Sequence, residues 1–128
     1  MKIKYRSIKK YKYQLLEDYI IEIKIFPAEA IDTMFIDLSE EGILTIRCGY
    51  AWDGCSGPTW DDHTNMRAGL VHDSLFQLLR EGHISSGCRL YADTLFRDIC
   101  IEDGMPNWRA WYYFNAVRLF AGAYAKTK

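Results

Sequence analysis

The stretch Asp61-Asp-His-Thr-Asn-Met-Arg-Ala-Gly-Leu-Val-His-Asp-Ser-Leu-Phe-Gln-Leu-Leu-Arg-Glu-Gly82 decides the architecture, because the apolar residues there adopt a helical period. Met66, Leu70, Leu75, Leu78 and Leu79 recur on one face, Asp61, Asp62 and Thr64 are candidate N-caps, and Gly82 is the stop. Upstream the pattern alternates. Tyr19-Ile-Ile-Glu-Ile-Lys-Ile-Phe26 sets Glu22 and Lys24 against Ile21, Ile23 and Ile25, a strand with one wet and one buried face that Pro27 ends. Strands Thr33–Leu38 and Gly42–Arg47 follow, with Ser39-Glu-Glu-Gly42 supplying the turn chemistry of a hairpin. Downstream, a second helix begins near Ser85 or Ser86, carries Leu90, Leu95, Phe96, Ile99 and Cys100, and stops at Gly104. Pro106 and Asn107 open a third helix, Trp108 to about Tyr124, rich in aromatic residues: Trp108, Trp111, Tyr112, Tyr113, Phe114 and Phe120. That helix is expected to pack across the first two with its aromatics as core; a lipid-facing surface is the alternative. The pattern predicts an α+β fold, a small N-terminal antiparallel β-meander followed by three α-helices, two of them forming an antiparallel hairpin.

At 128 residues the chain has the length of one domain, with a β-rich part (1–48), a Gly-rich loop (49–60) and a helical part (61–128). Hydrophobic residues at 49% and charged residues at 26% are a globular composition, and 15% aromatic residues exclude a disordered chain. A formal net charge of −1 provides no field to steer the protein to nucleic acid, so no nucleic-acid partner is expected. Lys2, Lys4, Arg6, Lys9, Lys10 and Lys12 are a local basic segment, readable as a solvated strand edge or as a contact for an anionic membrane or phosphate. The N-terminus lacks the apolar stretch of a signal peptide and no run approaches transmembrane length, so a soluble, cytosolic protein is expected. Cys48, Cys55, Cys88 and Cys100 are widely separated and read as reduced thiols.

Two segments carry chemistry. Gly49-Tyr-Ala-Trp-Asp-Gly-Cys-Ser-Gly-Pro-Thr59 is a tightly shaped loop whose carbonyls and amides are available for binding. Asp53 and Ser56 add hard oxygen ligands, so a calcium-type site of backbone carbonyls plus a carboxylate is one reading and a structural turn the other. Tyr50, Trp52, Asp53 and Thr59 are the further site candidates of this loop. On the first helix His72 shares a stripe with Leu75, Phe76 and Leu79, whereas Asp73 points about 100° away. On the second, Asp93 shares a stripe with Phe96, Arg97 and Cys100, so a carboxylate also faces the core and needs a counter-group. In a hairpin turning at Gly82 to Ser86, His72 lies about ten residues before the turn and Asp93 about seven after it, which brings them to similar heights. Such a pair either orients an imidazole for general-base catalysis or fixes two helices by a structural hydrogen bond.

The order of a Gly-rich loop, His72-Asp-Ser-Leu-Phe76 and Ala92-Asp-Thr-Leu-Phe96 resembles the secretory phospholipase A2 superfamily, most of all its disulfide-poor viral capsid branch. The resemblance implies His72 as the base that activates water, Asp93 as the acid that orients it, and Asp73 as a calcium ligand with Gly54, Ser56 and Gly57 of the loop. Phe76 stands where that superfamily has a tyrosine supporting the orienting acid, so Tyr91, Tyr112 or Tyr113 would have to supply the hydroxyl. Over its whole length the chain resembles an uncharacterised domain-of-unknown-function family encoded by tailed phages, prophages and bacteria. The residues that carry this are Gly49–Thr59, Leu70-Val-His-Asp-Ser-Leu-Phe76, Ala92-Asp-Thr-Leu-Phe-Arg-Asp-Ile-Cys100 and Glu102-Asp-Gly-Met105. That resemblance implies a phage or prophage origin, hence host cytoplasm or a virion, and brings no activity. The function expected is calcium-assisted hydrolysis of a phospholipid-like ester at a membrane surface. The alternative is a catalytically silent phage accessory or virion protein that uses the same pair structurally and binds a phage or host protein.

Overall fold

The computed structural model describes residues 3–7, 13–53 and 62–120, apart from the Phe120 side chain. It is α+β and divides into two compact units, Met1–Asp53 built of strands and Gly54–Lys128 built of helices.

Among the described residues the strand unit has two antiparallel sheets rather than one meander. β3 (Tyr19–Glu22), β4 (Ile31–Asp32), β5 (Ile36–Leu38) and β6 (Ile43–Ile46) form the larger, in the order β3-β6-β5-β4. Its register sets Tyr19 and Ile36 beside Ile46, and Ile21 and Leu38 beside Leu44. The inward residues Tyr19, Ile36, Leu38, Leu44 and Ile46 are buried, as period two requires. The predicted strand 19–26 leaves the ladder after Glu22, because Ile23 N–H donates to the Gly42 carbonyl of the hairpin turn (2.8 Å), although burial still alternates through Ile23, Lys24 and Ile25. The predicted strand 33–38 is broken at Thr33, whose hydroxyl donates to the Ile36 carbonyl (2.7 Å) and accepts from the Ile36 amide (3.0 Å), so Met34 sits at an exposed turn tip. The hairpin glycine is obligatory: at Gly42, with φ of +88°, a Cβ would lie 2.3 Å from the Ile23 carbonyl oxygen.

The second sheet, β1 (Tyr5–Ser7), β2 (Tyr13–Leu15) and β7 (Ala51–Trp52), in the order β1-β2-β7, has no alternation long enough to announce it. Aromatic contacts hold it. Trp52 meets Tyr13, Tyr5 and Tyr50 at ring-centroid distances of 5.7, 5.9 and 6.5 Å. Arg6 lies on this exposed edge strand and donates to Gln14 Oε1 through Nε (2.9 Å) and Nη2 (2.6 Å), as a solvated edge would.

In the helical unit α1 is Met66–Arg80, a 3-10 turn occupies Ser86–Cys88, α2 is Arg89–Glu102 and α3 is Asn107–Phe120. None of the expected N-caps starts α1. Asp62 Oδ1 accepts from the Thr64 amide (2.8 Å) and the Asp62 amide donates to Asn65 Oδ1 (3.2 Å), closing a turn that delays the helix to Met66 with Asn65 as its cap residue. Both ends of the hairpin are closed by paired capping bonds. Gly82 and His83 donate to Leu79 and Leu78, and Gly104 and Met105 to Ile101 and Cys100, with Gly104 at φ +106°.

α2 packs against α1 and against α3. Of the described α3 aromatics only Tyr113 is fully buried on the core face. Ala110, Tyr113, Ala116 and Val117 are buried, whereas Trp108 (71% exposed), Trp111 and Tyr112 face outward. Small residues let the helix axes approach, and Trp111 is covered instead by the Arg97 guanidinium, 4.4 Å from its ring centre. Leu90, expected inside, is exposed as well. Among the described residues no helix is long and apolar enough to cross a membrane.

Candidate functional site

The stripe Leu75, Phe76, Leu79 of α1 is buried against α2 and carries His72 with it, while the Phe96, Cys100 stripe of α2 carries Asp93. The two polar side chains meet between the helices. His72 Nε2 lies 2.6 Å from Asp93 Oδ1, with His72 only 3% and Asp93 0% exposed. Phe76 lies against one side of the imidazole (centroids 4.1 Å apart, planes at 32°) and Phe96 approaches at 5.3 Å and 61°. The ring is therefore fixed in place and orientation.

A carboxylate with no exposure is costly unless hydrogen bonds and opposite charge compensate it. Asp93 Oδ2 accepts from Arg118 Nη1 of α3 at 2.9 Å, and Arg89 Nε, one turn before Asp93 on α2, lies 3.8 Å from the same oxygen. Arg118 thus supports Asp93, a role for which the resemblance implied a hydroxyl from Tyr91, Tyr112 or Tyr113. Tyr112 is exposed, and the Tyr113 hydroxyl accepts from Arg109 Nη2 at 3.1 Å. Arg118 escaped the sequence reading because its partner lies 25 residues away on another helix. The hint was a second cation, after Arg109, on an aromatic run without acids.

A carboxylate can only accept, so Asp93 places the proton of a neutral imidazole on Nε2 and leaves the lone pair on Nδ1. Nδ1 lies 4.0 Å from Oδ1 of Asp73, a half-buried residue whose carboxylate therefore comes within reach of the imidazole although the two are adjacent on α1. Asp73 is the one implied calcium ligand among the described residues; Gly54, Ser56 and Gly57, and with them the candidate Thr59, lie outside them. No group of three metal-ligating side chains occurs among the described residues. Tyr50 and Trp52 are buried in the aromatic cluster of the strand unit and serve its packing, and Asp53 is exposed at that unit's end.

Two further polar clusters of the helical unit were not foreseen. Buried Arg67 donates from Nε to Asp103 Oδ2 (3.0 Å) and from Nη2 to Asp103 Oδ1 (2.9 Å) and Glu102 Oε1 (2.9 Å), tying the start of α1 to the end of α2. Arg109 Nη2 donates to Asp62 Oδ2 (2.5 Å), tying α3 to the turn before α1. Burial alone would raise the Asp62 pKa, but hydrogen bonds from Thr64 and Arg109 outweigh it and hold the carboxyl below 3.8. Cys100 is pushed up to about 12 by burial, with Asp103 and Asp62 adding to the effect, so it is an inert thiol.

The family described as "Protein of unknown function (DUF1353)" matches residues 30–117. The chain belongs to the DUF1353 family. Neither the curated proteins nor the solved structures give a match. The DUF1353 span runs from just before β4 to the penultimate turn of α3 and takes in His72, Asp73 and Asp93. The geometry accounts for Glu102-Asp-Gly-Met105 of this DUF1353 chain: the two acids clasp Arg67, Gly104 closes α2, and Met105 is buried.

Proposed function

We propose that this DUF1353 chain is an ester hydrolase that works in the manner of phospholipase A2, with His72 as general base. The observation that carries the reading is the 2.6 Å contact between His72 Nε2 and Asp93 Oδ1, which turns Nδ1 into the available base. Water at Nδ1 gives its proton to the imidazole as its oxygen attacks the ester carbonyl. Asp93, held by Arg118, stabilises the imidazolium, which then returns the proton to the departing alkoxide. A phospholipid-like ester is the substrate that the sequence resemblance favours. Bound calcium would polarise the carbonyl as a Lewis acid, and Asp73 is the side chain here that would help hold it.

The burial of His72 favours a second reading, in which the pair is a structural clasp of a catalytically silent phage accessory or virion protein that binds a phage or host protein. Fatty-acid release from phosphatidylcholine vesicles by wild type and Asp93→Asn separates the two. An amide at position 93 can donate to Nε2 and move the imidazole proton to Nδ1, so the hydrolase reading expects a rate loss of about 10³-fold or more. A wild-type protein that releases nothing, or a variant as fast as wild type, would leave the clasp. Calcium titration by calorimetry tests the metal separately: saturable binding should weaken at least about tenfold in Asp73→Asn.

A further inference from the structure

One buried donor beside the His72–Asp93 pair has no acceptor. Arg89 Nε is shielded from solvent and makes no hydrogen bond among the described residues. It lies 3.8 Å from Asp93 Oδ2, inside ion-pair range but beyond hydrogen-bond length, while Arg118 Nη1 holds the same oxygen at 2.9 Å. A buried N–H left unbonded is costly, so its retention needs a cause. The cause lies at the other end of the guanidinium: Arg89 Nη2 donates to the Arg118 main-chain carbonyl, which commits the fork to the end of α3.

The two arginines reach Asp93 in different ways. Arg89 stands four residues before it on α2, so the helix itself keeps the two side chains within reach. Arg118 comes from α3, two residues before the end of that helix, and its reach depends on the final turn staying docked. Undocking of that turn removes, in one event, the Arg118 donor on Oδ2 and the carbonyl that holds Arg89 Nη2. Arg89 Nε is then free to close by about 1 Å and make its missing bond. Asp93, with 0% exposure, thus keeps a cation in both arrangements, which a buried carboxylate requires.

We propose that Arg89 is a second positioning residue for the His72–Asp93 pair, a standby partner that takes over Asp93 Oδ2 when the Arg118 contact opens. The His72 bond at Oδ1 persists through the exchange because the carboxylate stays paired and oriented. The handover is a property of the pair and stands whether His72 acts as base or as clasp; under the hydrolase reading it keeps the orienting acid in place.

The test needs no turnover. It follows the Arg89 Hε–Nε signal of the ¹⁵N-labelled full chain in wild type and Arg118→Met. The standby role predicts a folded variant in which that proton moves downfield and exchanges with solvent at least about tenfold more slowly, the signature of a new charge-assisted bond. An unchanged Arg89 signal, or an Arg118→Met chain that does not fold, overturns the proposal. Urea unfolding supplies the second readout. Arg89→Met and Arg118→Met together should lower the folding equilibrium constant at least about tenfold more than the two single losses combined, and a double variant that fails to fold while both singles fold shows the same excess. Additive losses overturn the proposal. Arg89→Lys in the Arg118→Met background keeps a cation one turn from Asp93 and should recover part of the excess; no recovery would mark packing rather than pairing and also overturn it.

Discussion

The two units of this protein treat polar side chains in opposite ways. Every buried polar or charged residue among those described, namely Thr64, Asn65, Arg67, His72, Ser74 and Asp93, belongs to the helical unit. The strand unit buries apolar and aromatic residues, leaves the Lys4–Glu17 pair at the surface and only part-buries Arg47 with Asp37. A buried polar group costs free energy unless it is fully compensated, so its presence marks where the fold commits itself to something beyond packing. In the helical unit the commitment has three parts: the Arg67 clasp, the Asp62–Arg109 tie, and the His72–Asp93–Arg118 chain.

The contrast is broken most severely at Arg67. Arg67→Ala leaves Asp103 without its bidentate partner and is expected to lower stability by about 3–5 kcal/mol, whereas Arg6→Ala on the strand edge should stay within about 0.5 kcal/mol. Urea unfolding of both variants measures the difference. Next in size is Gly104→Ala, which forces a side chain into positive φ and should cost about 1–2 kcal/mol in the same experiment. Thiol labelling sharpens the comparison without a substitution: Cys48, exposed in the strand unit, should react with iodoacetamide at once, and Cys100 only as the helical unit unfolds.

The smallest effect is in acid, where the units should respond with opposite sign. The Asp62 carboxyl titrates below 3.8, so its contribution is fully present above that value and is lost as pH falls through its folded pKa. Asp37 of the strand unit is raised above 3.8 by burial and then by its hydrogen bond to Asp32, so its ionisation disfavours the fold at neutral pH and the penalty disappears on acidification. Asp62→Asn should therefore destabilise at pH 7, and Asp37→Asn should not; both differences should shrink below about pH 4. Melting curves at the two pH values measure them.

Much of this was legible in the chain, for identifiable reasons. The helices and the larger sheet follow from period, Gly stops and turn residues, and the meeting of His72 with Asp93 follows from their similar heights on either side of one helix turn. The smaller sheet was hidden because strands of two or three residues carry no periodicity and are held by contacts between Tyr5, Tyr13 and Trp52 that are distant in sequence. The same holds for Arg67, Arg109 and Arg118, whose partners lie 25 to 47 residues away. Aromatic content misled in part for α3, where close helix packing through Ala110 and Ala116 takes in Tyr113 but leaves Trp108, Trp111 and Tyr112 outside.

The central claim is that His72 is a base and not only a clasp. Fatty-acid release from phospholipid vesicles by wild type and His72→Gln, compared at equal folded fraction, tests it most directly. The account predicts release by wild type and a loss of about 100-fold or more in the variant; equal rates in the two proteins, or no release by wild type, would contradict it.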